Sequence, residues 1–359
     1  MKRSLFICIL AVLVALSCTC AVFATDYGAP FGQEYVQTVE SAFTFAIVGD
    51  TQIISRLAPE KMDTIYQWIV DNKEEKNIQF VAGVGDITDK SEDFEWEASI
   101  KAIRKMDGIV PYSLVRGNHD TVETYQRYVN YDSYTSQLDG SFDGVLNTYQ
   151  TITVGTLKYL FLNLDHGPSN EALQWACEVV EAHPEHNVII TTHGYIDEKG
   201  ELLSPANSEL CPSLTTGVND GTTIWTKLAR KYANIVMILC GHMGEAPEGV
   251  QYEAIGKNGN MIQQVMINSQ HVDRYYEHSG IVTLFHFSED GTQVQVENYS
   301  TLKQMHYGSG FTFNLNTMGG NANPPINWLL YGGIAAGAVI VLAAVIFLVL
   351  HKKKKAIQE

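Results

Sequence analysis

The chain has 359 residues, enough for one large domain or two small ones. Its formal net charge of −16 repels polyanions, so nucleic acid is not an expected partner. Of the six cysteines, Cys8, Cys18 and Cys20 crowd the N-terminus. Cys177, Cys211 and Cys240 are too few to form a disulfide framework.

The chain begins Met1-Lys2-Arg3-Ser4, continues with an apolar run from Leu5 to Leu16 and reaches Val22-Phe23-Ala24. Basic residues, an apolar stretch and small residues at a cleavage point describe a secretory signal peptide over residues 1–24. An uncleaved N-terminal anchor and a lipid-modified Cys18 stay open as alternatives. From Phe43 onward, short apolar runs alternate with amphipathic stretches. Strands are expected at Phe43–Gly49, Ile78–Val84, Pro111–Val115, Val188–Thr192, Ile235–Cys240, Met261–Ile267, Ile281–Phe287 and Thr292–Tyr299. Leu146–Val154 and Leu157–Leu164 flank Gly155-Thr156 as a hairpin. Helices are expected at Pro59–Lys76, Ser91–Met106, Ser169–His183 and Thr222–Tyr232. The first of these helices carries Met62, Ile65, Trp68 and Ile69 on one face. Leu202–Gly221 lacks a period and reads as an exposed loop. The pattern implies an α/β domain over residues 25–318, built on two stacked mixed sheets.

Residues 319–325 form a Gly/Asn/Pro linker. Residues 326–350 carry no charge and are long enough to span a bilayer as a helix. Trp328 and Tyr331 stand where an interfacial belt belongs, and His351 with Lys352 to Lys355 orients the tail at 351–359 toward the cytoplasm. The expected location is the plasma membrane, crossed once, with the main domain outside. Gly333 and Gly337 form a GxxxG pattern that permits helix dimerisation, though such patterns also arise by chance in Ala/Gly-rich spans.

Five polar clusters follow directly on apolar runs. They are Gly49-Asp50-Thr51-Gln52, Gly85-Asp86-Ile87-Thr88-Asp89, Gly117-Asn118-His119-Asp120, Thr192-His193-Gly194 and Gly241-His242-Met243-Gly244. Each alone is equally a turn, a helix cap or a core residue. Together they place carboxylate, amide and imidazole donors at strand ends, where α/β sheets gather ligands. That donor set suits Mn, Fe or Zn.

In this order the clusters resemble the fingerprint of the calcineurin-like metallophosphoesterase family: Asp-x-His/Gln, Gly-Asp-x-x-Asp, Gly-Asn-His-Asp/Glu, His, Gly-His-x-His. The first cluster matches a branch reading Gly-Asp-x-Gln. The resemblance implies a four-layer αββα sandwich of two mixed sheets flanked by helices, the metallo-dependent phosphatase fold. It also implies two metal ions, with Asp86 shared between them. Asp50 and Gln52 would hold the first metal; Asn118, His193 and His242 would complete the second. His119 would lie beside the leaving oxygen, oriented by Asp120. The implied activity is hydrolysis of phosphate mono- or diesters with metal-bound hydroxide as nucleophile.

Two positions depart from the fingerprint. Gln52 stands where His is commoner, and Gly244 stands where the last motif usually carries His. A weak, exchangeable first metal, a substitute ligand at Glu245 and a catalytically poor one-metal site are the three readings. The alternative function is therefore a metal-binding surface receptor with little or no turnover. Asp89 reads as support for the Asp86 loop, and Arg116 as an ion-pairing residue or a phosphate contact. Tyr125, Tyr128, Tyr131 and Tyr134 either wall the substrate pocket or pack on the core. Asn298-Tyr299-Ser300 is a glycosylation sequon.

Overall fold

The computed structural model describes residues 31–319 except 216, 245, 276 and 277. The expected signal peptide at 1–24, all but the first residue of the expected linker, the expected spanning segment at 326–350, the basic tail and Glu245 lie outside the described residues. Among those described, no helix is long and apolar enough to cross a membrane.

In chain order the elements are β1 (Phe43–Val48), α1 (Gln52–Leu57), α2 (Met62–Asn72), β2 (Ile78–Gly83), α3 (Asp93–Ile103), β3 (Tyr112–Ser113), α4 (Val122–Val129) and α5 (Asp132–Thr135). Then come β4 (Gly140–Phe142), β5 (Asn147–Val154), β6 (Leu157–Asn163), α6 (Asn170–Ala182), β7 (Asn187–Thr191), α7 (Gly221–Lys227) and β8 (Ile235–Cys240). The chain continues through β9 (Ala246–Ile255), β10 (Met261–Asn268), α8 (Gln270–Tyr275), β11 (Ile281–Phe287), β12 (Gln293–Ser300), β13 (Met305–His306) and β14 (Phe311–Asn314).

Two mixed sheets result. The first runs β13-β12-β11-β1-β2-β3, with β14 also on β12. Its β1-β2-β3 half is parallel, and β11 joins β1 antiparallel. The second runs β4-β5-β6-β7-β8-β10-β9, parallel from β6 through β8 to β10. Side chains alternate along a strand, so each sheet has two faces to cover. Phe45, Ile47 and Phe80 of the first sheet meet Tyr159, Phe161 and Ile189 of the second. Phe80 and Phe161 stack between the sheets with ring centroids 3.7 Å apart. On the outer face of the first sheet, Ala46, Val81 and Leu284 pack with Ile65 and Ile69 of α2 and Trp96 of α3. On the outer face of the second, Leu160, Leu162 and Ile190 pack with Leu173, Ala176 and Val180 of α6.

The helices begin where local chemistry satisfies their free N–H groups. Ser169 Oγ accepts from Ala172 N at 3.0 Å, and Asp220 Oδ1 from Thr223 N at 2.9 Å. Glu92 and Glu95 form a reciprocal capping box at α3. The hairpin at Gly155-Thr156 forms as expected, with Val154 opposite Leu157 and Gly155 at φ +59°.

Several expectations are corrected. The helix expected from Pro59 starts as a 3₁₀ turn at Pro59–Lys61 and ends at Asn72. β3 is two residues long rather than five. The loop at 202–221 is only partly exposed, since Leu203 and Cys211 are buried. Of the tyrosines, Tyr125 and Tyr134 are buried, Tyr128 stacks on Trp96 at 5.7 Å and Tyr131 shares a hydrogen bond with Tyr112. They are core residues, because a helix beside an aromatic-rich cluster buries more area facing inward. The Asn298 side chain is also buried, donating to Glu248 O and accepting from Thr283 Oγ1, so the sequon is inside β12. The three described cysteines form no disulfide.

Cutting Phe161 to Ala removes the ring that stacks on Phe80 between the sheets. It should lower unfolding free energy by about 3–5 kcal/mol, read as a lower urea midpoint at unchanged slope.

Candidate metal centre

The parallel strands all end on one side, and their following turns meet there. Asp50 follows β1, Asp86 follows β2, Asn118 to Asp120 follow β3, His193 follows β7 and His242 follows β8. Asp50, Asp86 and His242 have φ of 50°, 50° and 74°. Left-handed backbone is unfavourable for such residues and persists where the surroundings impose it, often at functional sites. Two glycines make the close approach feasible. A Cβ on Gly117 would lie 2.0 Å from Asp86 Oδ1, and one on Gly241 would lie 2.1 Å from Asp50 Oδ1.

Asp86 stands in the middle. Its Oδ1 accepts from His119 N at 3.0 Å. Its Oδ2 lies 3.2 Å from His193 Nε2 and accepts from Gln52 Nε2 at 3.1 Å. On one side, Asp50 Oδ2 accepts from His242 N at 3.0 Å, while Asp50 Oδ1 and Gln52 Oε1 are buried without a partner. On the other side, Asn118 Oδ1 lies 3.1 Å from His193 Nε2 and 2.7 Å from His242 Nδ1. The far nitrogen of each imidazole is tied to a carbonyl: His193 Nδ1 to Val84 O and His242 Nε2 to Leu210 O, both at 2.8 Å. This is how metal-binding histidines are usually fixed, with the outward N–H donated and the inward lone pair free. Leu210 belongs to the loop expected to be exposed; its carbonyl instead braces the site.

The electrostatics point the same way. Burial opposes ionisation of both carboxylates. For Asp50 it prevails, helped by the charge of Asp86, and the carboxyl is pushed well above its ordinary range. For Asp86, His193 and His119 outweigh burial and hold the carboxyl well below that range. Burial also resists charging His193, but Asp86 and Asp50 lift it to about 9. Burial and the neighbouring His193 push His242 down to about 4. Buried carboxylates, orphaned oxygens and oriented imidazoles packed together call for a compensating positive charge, and this donor set fits divalent metals. Asp50, Asp86 and His193 each offer one atom within 4.8 Å of the others, as do His166, His193 and His242.

The remaining residues take other places. His119 Nδ1 donates to Asp89 O at 2.8 Å, leaving its half-exposed Nε2 4.0 Å from Asp86 Oδ2. The expectation that Asp120 orients His119 is corrected. Asp120 is buried and accepts from Ile87 N, Thr88 N, Thr88 Oγ1 and Gly117 N, so its carboxylate pins two turns together. Arg116 is buried, and its guanidinium is spent on protein partners. Its guanidinium holds Asp165 Oδ1 at 2.6 Å and the carbonyls of Gly117, Asp120 and His166. Gly244 has φ +59°, a left-handed backbone conformation that itself disfavours a side chain.

Two residues at the site are absent from the sequence reading. His166 follows β6, and Gln270 accepts from Gln52 Nε2 at 2.6 Å just after β10. Both lie in polar clusters behind apolar runs, Asp165-His166-Gly167 and Asn268-Ser269-Gln270, so the signal that marked the other five was present for them too.

The sequence profile of the calcineurin-like phosphoesterase family matches residues 43–245, which hold all five motif clusters. The chain belongs to this family. It is 25% identical over 281 residues to the uncharacterized Bacillus subtilis protein YvnB, covering 75% of this chain and 20% of that one. It is 24% identical over 212 residues to a probable glycerophosphodiester phosphodiesterase, GpdQ, of Arcobacter nitrofigilis, covering 55% and 70%. The chain thus spans about a fifth of YvnB and over two thirds of GpdQ. A dimetal phosphatase from Danio rerio shares the fold, with a TM-score of 0.50, 15% identity and coverage of 77% and 99%. Family membership makes this chain a metallophosphoesterase relative.

Because His193 is lifted to about 9 without metal, it carries a proton at pH 7 that a metal must displace. Metal binding should therefore release protons near neutrality, and apparent affinity should climb as pH rises toward about 9. Calorimetry in two buffers of different ionisation heat reads this directly; equal heats would contradict it.

Proposed function

We propose that the protein hydrolyses phosphate mono- or diesters with two metal ions, on the outer side of a membrane that its C-terminal segment crosses. The observation that carries this reading is the Asp86 carboxylate standing between Asp50 with Gln52 on one side and Asn118, His193 and His242 on the other. A metal pair held there would lower the pKa of a bound water and hold the attacking and leaving oxygens in line.

The chain's own residues supply the rest. Asp50 and Gln52 would hold the first position and Asn118, His193 and His242 the second, with Asp86 common to both. The Asn118 side chain is half-buried at the rim, within reach of a non-bridging phosphoryl oxygen. His119 keeps Nε2 free, 4.0 Å from Asp86 Oδ2, because Nδ1 is committed to Asp89 O. When protonated at Nε2 it gives that proton to the departing oxygen. Arg116 and Asp120 are positioning residues that fix the Asn118–His119 turn.

The secretory leader at 1–24 and the uncharged segment at 326–350 support a plasma-membrane location with the catalytic domain outside. A second reading, a receptor that binds one metal without turnover, draws on the turn at Gly244, which leaves the first position short of a ligand.

Hydrolysis of chromogenic mono- and diesters with added Mn²⁺ decides between the two. The enzyme reading predicts turnover that vanishes in Asp86→Asn. In His119→Asn, kcat should fall by roughly 10²–10⁴-fold, with the deficit shrinking as the leaving group becomes a better one. One metal equivalent bound with no turnover on any ester would favour the receptor.

A further inference from the structure

The imidazole of His166 has no part in the family fingerprint, yet it sits against the two that do. Its ring centroid is 5.4 Å from that of His193 and 5.2 Å from that of His242, which are themselves 4.9 Å apart. One nitrogen from each of the three falls within 4.8 Å of the other two. His166 is buried, with Nε2 3.3 Å from Thr215 Oγ1, and its Nδ1 is buried without a hydrogen-bond partner. A buried polar atom left in this state costs free energy unless something else satisfies it.

The backbone around it is fixed. His166 N donates to Asp165 Oδ1 at 2.8 Å, and its carbonyl accepts from Arg116 Nη2 at 3.3 Å. The same guanidinium grips Asp165 and the carbonyls of Gly117 and Asp120, so His166 is locked to the turn that carries Asn118. Space for the ring comes from Gly194, where a Cβ would lie 3.1 Å from His166 Cε1. A histidine held this firmly, beside two others and with one nitrogen free, has the attributes of a metal ligand.

We propose that His166 is a third imidazole ligand of the second metal position, binding through Nδ1. This rests on the dimetal reading above and extends it. The second position then takes Asp86, Asn118, His166, His193 and His242, and is rich in nitrogen. The first keeps Asp50, Gln52 and the shared Asp86, all oxygen donors. Imidazole-rich sites prefer zinc or iron, whereas carboxylate and carbonyl sites suit magnesium or manganese. The centre is therefore unequal, with one tight zinc-class position and one weaker, exchangeable position.

The test is zinc binding to the full-length chain, measured by competition with a chromogenic chelator. Wild type should show a tight step and a weaker step. His166→Gln and His166→Ala should weaken the tight step by roughly tenfold to a hundredfold or more and leave the weak step in place. Melting midpoints of the metal-free variants check that both are folded. X-ray absorption of the wild-type chain with one zinc equivalent needs no variant; it should fit three imidazoles at about 2.0–2.1 Å. Two imidazoles in that spectrum, or a tight step unchanged in both variants, would overturn the assignment. A wild-type chain that binds no zinc would instead overturn the dimetal reading itself.

Discussion

The site depends on one arrangement: a buried carboxylate, Asp86, held where donors from separate strand ends converge. Ionised carboxylates are not stable in a water-poor interior without compensation. Here Asp86 faces Asp50 and is surrounded by groups whose hydrogen-bonding nitrogens and oxygens are only partly satisfied by the protein. The backbone is strained at Asp50, Asp86 and His242, and Gly117 and Gly241 lack side chains where a Cβ would strike the carboxylates. Packing between the sheets supplies the rigidity that keeps these turns in place. Phe45, Phe80 and Phe161 lie in the shared layer from whose strands several of the turns emerge.

Around this centre the side chains of Asp120 and Arg116 are committed to partners within the protein. Asp120 spends its carboxylate on the turns at 87–88 and 117, and Arg116 joins the Asn118 turn to the His166 turn. Buried networks of this kind add rigidity only when every member is satisfied. The contrast with Asp50 Oδ1, Gln52 Oε1 and His166 Nδ1 is informative, because these three buried atoms without partners stand among the candidate ligands.

Much of this was legible in the sequence because the strands preceding the ligands are buried on both faces and read as uninterrupted apolar runs. β8 and β11 keep their expected bounds for that reason. β9 was invisible. It is an edge strand containing Pro247 and Gly249, residues tolerated there because an edge leaves N–H groups unpaired. α1 and α8 are six residues each, too short to show a helical period. At the site, spacing marked the clusters but not the hydrogen bonds. Nothing in Gly-Asn-His-Asp tells that Asp120 turns inward to backbone amides while Asp89 offers His119 its carbonyl. In the sequence His166 does not stand out, because a lone His after an apolar run has many ordinary explanations, and only its contact with His193 and His242 separates it from them.

Anomalous diffraction from crystals soaked in Mn²⁺ tests the central claim most directly. The account predicts two peaks flanking the Asp86 carboxylate, about 3.5–4 Å apart, with Asp50 beside one and Asn118 and His242 beside the other. A map without density at Asp86, or with its metal bound elsewhere on the domain, would contradict it.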